Sequence, residues 1–118
     1  MANINPGEII HDIQKAATTI IGKDLTTIEG FSRDQLLRIE KLGIKLAAMI
    51  AAGEFKDDPE GQQDFLGILE DLITNFANTL KGLSIITIEK VWNAAVKIVW
   101  GALDKATGLA LPRPVGGP

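Results

Sequence analysis

Residues 85–106, IITIEKVWNAAVKIVWGALDKA, form the most apolar stretch of this 118-residue chain, and any fold must find cover for them. Set at about 100° per residue, as a helix requires, the stretch gathers Glu89, Asn93, Lys97 and Asp104 on one side, with Lys90 and Lys105 at the margin. The other faces carry Ile88, Val91, Trp92, Ala95, Val96, Ile98, Val99, Ala102, Leu103 and Ala106. One surface helix buries a stripe of somewhat over ~100°, so an arc this wide needs several helical neighbours, a second subunit or a bilayer surface. Trp100 projects beside the polar strip, between Asn93 and Val96, and is the large side chain expected to remain uncovered after folding.

The segments before it read as helices able to supply that cover. Asn5 followed by Pro6 is a start signal, an amide cap followed by a residue whose missing N–H would be unpaired there anyway, and it predicts a first helix over residues 7–21. Ile9, Ile13, Ala16 and Ile20 form its stripe, Ile10, Ala17 and Ile21 widen it, and Gly22 stops it. Residues 25–30 make a short connector with room for one helical turn. Ser32 and Gln35 then read as a capping box and Phe31 with Leu36 as a hydrophobic staple, opening a second helix over residues 33–52. Leu36, Ile39, Leu42, Leu46, Met49 and Ile50 are its inward set, while Gly43, Ala47, Ala48, Ala51 and Ala52 let another helix approach closely.

Asp58 and Pro59 repeat the cap-then-proline signal and open a third helix over residues 60–80, with Phe65, Ile68, Leu69, Leu72, Ile73, Phe76 and Leu80 inward. The β-branched run at residues 83–87 has no partner strand, so it is a link or the first turn of a fourth helix over residues 88–106, with Thr87 as the expected cap. After Gly108 the sequence ALPRPVGGP cannot stay helical, because Pro112, Pro114 and Pro118 break the ladder and Gly116 and Gly117 loosen it. The expected architecture is all-α: one bundle of four main helices over residues 1–109, and an extended Pro/Gly-rich C-terminal arm over residues 110–118.

Charge and cysteine content narrow the function. Twelve Lys and Arg are scattered among 15 Asp and Glu, for a net charge of −3, which argues against nucleic acid as a partner. The absence of Cys removes thiol chemistry and any disulfide framework. MANINPGEII carries neither the basic nor the apolar region of a secretory signal, so the product is expected in the cytoplasm when made. Glu89, Lys90 and Lys97 interrupt the best apolar window, which disfavours a membrane-spanning helix and leaves a bilayer surface as the lesser option beside a protein partner.

Residues with chemical potential are few. Glu8 and His11 have the Glu-x-x-His spacing of di-iron bundles, but those sites need two such motifs and two more carboxylates, whereas His11 is the sole histidine. Asp57, Asp58, Glu60 and Asp64 cluster without the alternation of a calcium loop, and their positions suit capping and dipole matching at the third helix. No nucleophile elbow, phosphate loop or dinucleotide fingerprint occurs, so no catalytic, metal or cofactor-binding residue is expected.

IIGKDLTTIEGFSRDQLLRIEKLG, TLKGLSIITIEKVWNAAVKIVWG and the closing ALPRP resemble small all-helical proteins of tailed bacteriophages. That resemblance implies a phage or prophage structural accessory, carried in the virion if it is a particle component, and brings no functional residues with it. The expectation is therefore a non-enzymatic interaction protein, a homo-oligomer or part of a larger assembly, joined through its apolar last helix and its arm. Trp100, Phe55, Leu109, Leu111, Pro112, Arg113 and Pro114 are the expected interface residues, being aromatic anchors or members of a proline-stiffened segment. A membrane-surface, lysis-related accessory is the second reading, and a small enzyme or metal-binding bundle the third.

Overall fold

Two of the backbone donors at the start of the first helix receive their partner from elsewhere in the chain. In the computed structural model, which describes residues 4–114, α1 spans Glu8–Ile21 and follows Gly7, whose φ of 88° is left-handed. Asn5 does not cap it. Glu40, from the second helix, accepts the Gly7 N–H at 2.8 Å and the Ile10 N–H at 3.2 Å, the cap and third-position donors that a capping box would satisfy locally. Glu40 is only 6% exposed. Its burial is tolerable because each carboxylate oxygen takes a backbone donor at the positive end of a helix dipole.

A turn of 3-10 helix, Leu25–Thr27, leads to α2, Arg33–Ala51, where Ser32 accepts the Gln35 N–H at 3.3 Å. The Gln35 side chain does not complete the box, and instead takes the Thr79 hydroxyl at 3.4 Å across the bundle. α3, Pro59–Thr79, starts on Asp58, whose carboxylate accepts the Gly61 N–H at 2.9 Å. α4, Ile85–Thr107, starts a turn before the expected position, because Ser84 rather than Thr87 is its cap and accepts the Thr87 N–H at 3.1 Å. β-branched Ile85, Ile86 and Thr87 fit there because a first turn has no preceding turn to crowd their side chains. Among the described residues there is no strand, and the chain is an all-α bundle of four helices.

α4 is the element the others assemble on, touching all three other helices and α1 most extensively. α2 also packs on α3 and lightly on α1, where a Cβ built at Gly43 would lie 3.7 Å from Ile9 Cδ1. Trp92, Trp100, Phe76, Leu36, Ile39, Leu69, Ile73 and Leu103 lie at the centre of the core, and the Trp92 indole donates to Thr74 Oγ1 at 3.0 Å. The register of α3 differs from the sequence reading. Leu66, Leu69, Ile73, Phe76, Ala77 and Leu80 are its buried stripe, and Ile68, expected inside, falls on the far side and is 50% exposed. Leu66 and Ala77 replace it in the core because the stripe that meets both α2 and α4 is centred on Ile73, well away from Ile68 around the helix.

Candidate functional site

Trp100 is 1% exposed, not left uncovered. The projection failed there because the covering group comes from beyond the helix. Gly108, with φ 74° and its N–H on the Asp104 carbonyl at 2.8 Å, ends α4 in a left-handed turn that sends the chain back over it. The Leu111 N–H donates to Asp104 Oδ1 at 2.9 Å, the Trp100 indole donates to the Pro112 carbonyl at 2.9 Å, and Arg113 pairs with Asp104 Oδ2 at 2.6 Å. The described part of the arm is thus folded onto its own bundle, with Leu111 buried, Leu109, Pro112 and Arg113 exposed and Pro114 half-buried. Residues 115–118, Gly116 and Gly117 among them, lie outside the described residues. Phe55 is also buried, its ring centroid 5.6 Å from that of Phe65. Of the expected interface residues, Trp100, Leu111, Pro112 and Arg113 are brought together, but as an internal latch around Asp104.

The residues weighed for chemistry are dispersed. Glu8 faces a groove against α4, whereas His11 lines a separate cleft of about 350 Å³ with Gln14, Lys15, Thr18, Thr19 and Asp24. Two hydrogen bonds from Thr26, through its backbone N–H and then its hydroxyl, hold the exposed Asp24 carboxyl below the usual aspartate range. In the acidic cluster Asp58 acts as a helix cap, and no group of three or more His, Asp or Glu side chains among the described residues is placed to share an ion. No described helix is long and apolar enough to cross a membrane.

One open apolar surface lies between α1 and α4. Two adjoining hollows of about 490 Å³ and about 380 Å³ share Asp12 and Ile98 and so form one groove. Ala16 and Ile20 from α1 and Ile98 and Ala102 from α4, all half-buried, make its floor. Glu8 and Asp12 stand on the α1 rim, Lys97 and Lys105 on the α4 rim. The sole ion pair among the described residues is the one between Asp104 and Arg113, so these four rim charges have no ion-pair partner among those residues.

Sequence reasoning assigned Ile20, Ile98 and Ala102 to the core and did not single out this groove. Gly101 was the available signal. It sits mid-helix in α4, where glycine costs roughly 1 kcal/mol relative to alanine, and a Cβ built on it would meet nothing within 4 Å. No demand of the chain's own packing explains a glycine there. Comparison with protein-family models, curated proteins and solved structures yields no match to this chain.

Proposed function

We propose that this chain is a non-enzymatic structural and interaction protein that works by docking another protein surface into the groove between α1 and α4. The observation that carries the reading is the groove's composition: an aliphatic floor between an acidic and a basic rim, neither of them in an ion pair among the described residues. An apolar centre with a charged border is the anatomy of a protein interface, where the floor supplies desolvation energy and the rims supply register. The described part of the arm, fastened to Asp104 and Trp100, contributes by covering the end of α4.

The resemblance to small helical phage proteins supports placing the chain among virion or assembly components. Mass spectrometry of purified particles tests that placement. The interaction reading is tested with Ile98→Glu, whose side chain lies on the groove floor. Association measured by light scattering, or recovery of a partner from the native source, should be lost in this variant while helical content and melting are kept. A wild-type chain that is strictly monomeric at high micromolar concentration and recovers no partner overturns the reading.

One observation favours the membrane-surface alternative. Ile85 and Ile86, at the start of α4, are 76% and 66% exposed, and the nearest charges in sequence are the exposed Lys81 on one side and the exposed Glu89 and Lys90 on the other. A short apolar tip whose bordering charges sum to a net positive is suited to anionic lipid. Co-sedimentation with anionic liposomes that is abolished by Ile85→Ser with Ile86→Ser would support it, and no sedimentation would remove it.

A further inference from the structure

We infer that the occupant of the α1/α4 groove is a second copy of this chain, related by a two-fold axis running along the groove. The inference rests on the proposed reading of the groove as a docking surface and adds the partner's identity. The charges select it. A two-fold along the groove turns each α1 toward the partner's α4, which sets Glu8 and Asp12 of each copy against the partner's basic rim. A two-fold across the groove would lay acid on acid and base on base, which like-charge repulsion forbids. A self-complementary surface of this kind is what an isologous dimer requires.

The floor agrees with the charges. In this arrangement the half-buried Ile20 and Ile98 of one copy meet the same residues of the other, and Gly101, with open space outside its Cα, allows the helices to come close. Lys15, the one cation on the α1 side, borders the hollow that holds Ile20 and not the one that holds Glu8, Lys97 and Lys105. Ile68, an exposed aliphatic midway along α3, lacks this property. It is flanked along α3 by Asp64 and Asp71, so a two-fold contact there would oppose carboxylates.

Sedimentation velocity of the full chain tests the inference through rim exchange. Wild type should dimerise, and more weakly as ionic strength rises. Lys97→Glu with Lys105→Glu, and separately Glu8→Lys with Asp12→Lys, should each weaken dimerisation by at least ~10-fold. Mixing the two variants should restore a dimer containing one of each, and a chain carrying all four changes should dimerise with itself. Glu8 also lies in the first turn of α1, where the dipole favours an acid, so Asp12→Lys alone serves if melting shows the double variant to be unstable.

A wild-type monomer, rim variants that dimerise as wild type does, or a mixture that fails to recover would each overturn the inference. If the chain is monomeric yet Ile98→Glu still abolishes binding to a different native protein, the second-copy assignment falls and the docking role stands. If neither rim nor floor variants change any association, both fall.

Discussion

The indole nitrogen of Trp100 donates to the carbonyl of Pro112 at 2.9 Å, so a residue on the last helix is buried by a segment that begins only after that helix has ended. Asp104 stands beside this contact and uses both carboxylate oxygens on the arm, one for the Leu111 N–H and one for Arg113. The ion pair is partly exposed and contributes at most ~1 kcal/mol. Burial of Leu111 and of the indole supplies most of the gain.

Removing residues 111–118 should therefore destabilise the domain, by about 2–4 kcal/mol, from the loss of a buried leucine and the exposure of a tryptophan face. Tryptophan emission should shift to the red, because Trp100 becomes wet while Trp92, held by Thr74, does not. Unchanged melting and emission would show that the arm is not a latch.

Gly30 is required twice over. Its φ is 87°, and a Cβ there would collide with the backbone carbonyl of Thr79, beside which Lys81 donates to the Glu29 carbonyl at 2.8 Å. Gly30→Ala should cost at least about 2 kcal/mol, from left-handed strain and a backbone clash combined. Gly22→Ala, at φ 85° with open space around the new Cβ, should cost only the strain, about 1 kcal/mol. Equal losses in denaturant titrations would mean that the contact between the Gly30 loop and the end of α3 adds nothing.

Legibility in the sequence followed the range of the cause. Ser32 and Asp58 cap donors three residues ahead, so α2 and α3 could be placed within a residue or two from local signals. Val91, Trp92, Val96, Val99 and Leu103 were readable as core because a wide apolar arc has few ways to be hidden. Trp100 was not, since its cover depends on the chain reversing at Gly108. Glu40 was not, because its burial depends on meeting the start of α1, 30 residues earlier for Ile10. The groove was hidden for a related reason: Ile98 and Ala102 belong to the apolar arc, and only the placement of α1 leaves them half-open.

Asp24 gives an acid-side signature. Its carboxyl is held below the ordinary value by Thr26, through the backbone bond first and the hydroxyl second. A depressed folded value means that the ionised form favours the native state. The stabilisation is present above the unfolded value and is lost as pH falls through the folded one. In an NMR titration Asp24 should protonate below the ordinary aspartate range, and Thr26→Val, which keeps the backbone donor, should move it part of the way back up. No movement would mean that the hydroxyl does not contribute.

Glu40 ties α1 to the rest of the bundle, and its replacement separates shape from charge. Glu40→Ala leaves the buried Ile10 donor without a partner and the exposed Gly7 donor to water, and should cost about 1–3 kcal/mol. Glu40→Gln keeps an oxygen for one donor but sets an amide N–H₂ against the other and loses the dipole attraction, so a loss of roughly 1–2 kcal/mol is expected. The effect should be local before it is global. In hydrogen exchange the amides of the first two turns of α1 should lose protection in Glu40→Ala, while those around Ile73 in α3, which does not touch α1, keep theirs relative to global unfolding. Because α1 forms one wall of the groove, the same variant should weaken association even where the bundle remains folded. If Glu40→Ala melts as wild type does and α1 stays protected, the two donors are satisfied without it, and α1 is held to the bundle by its packing on α4 and α2.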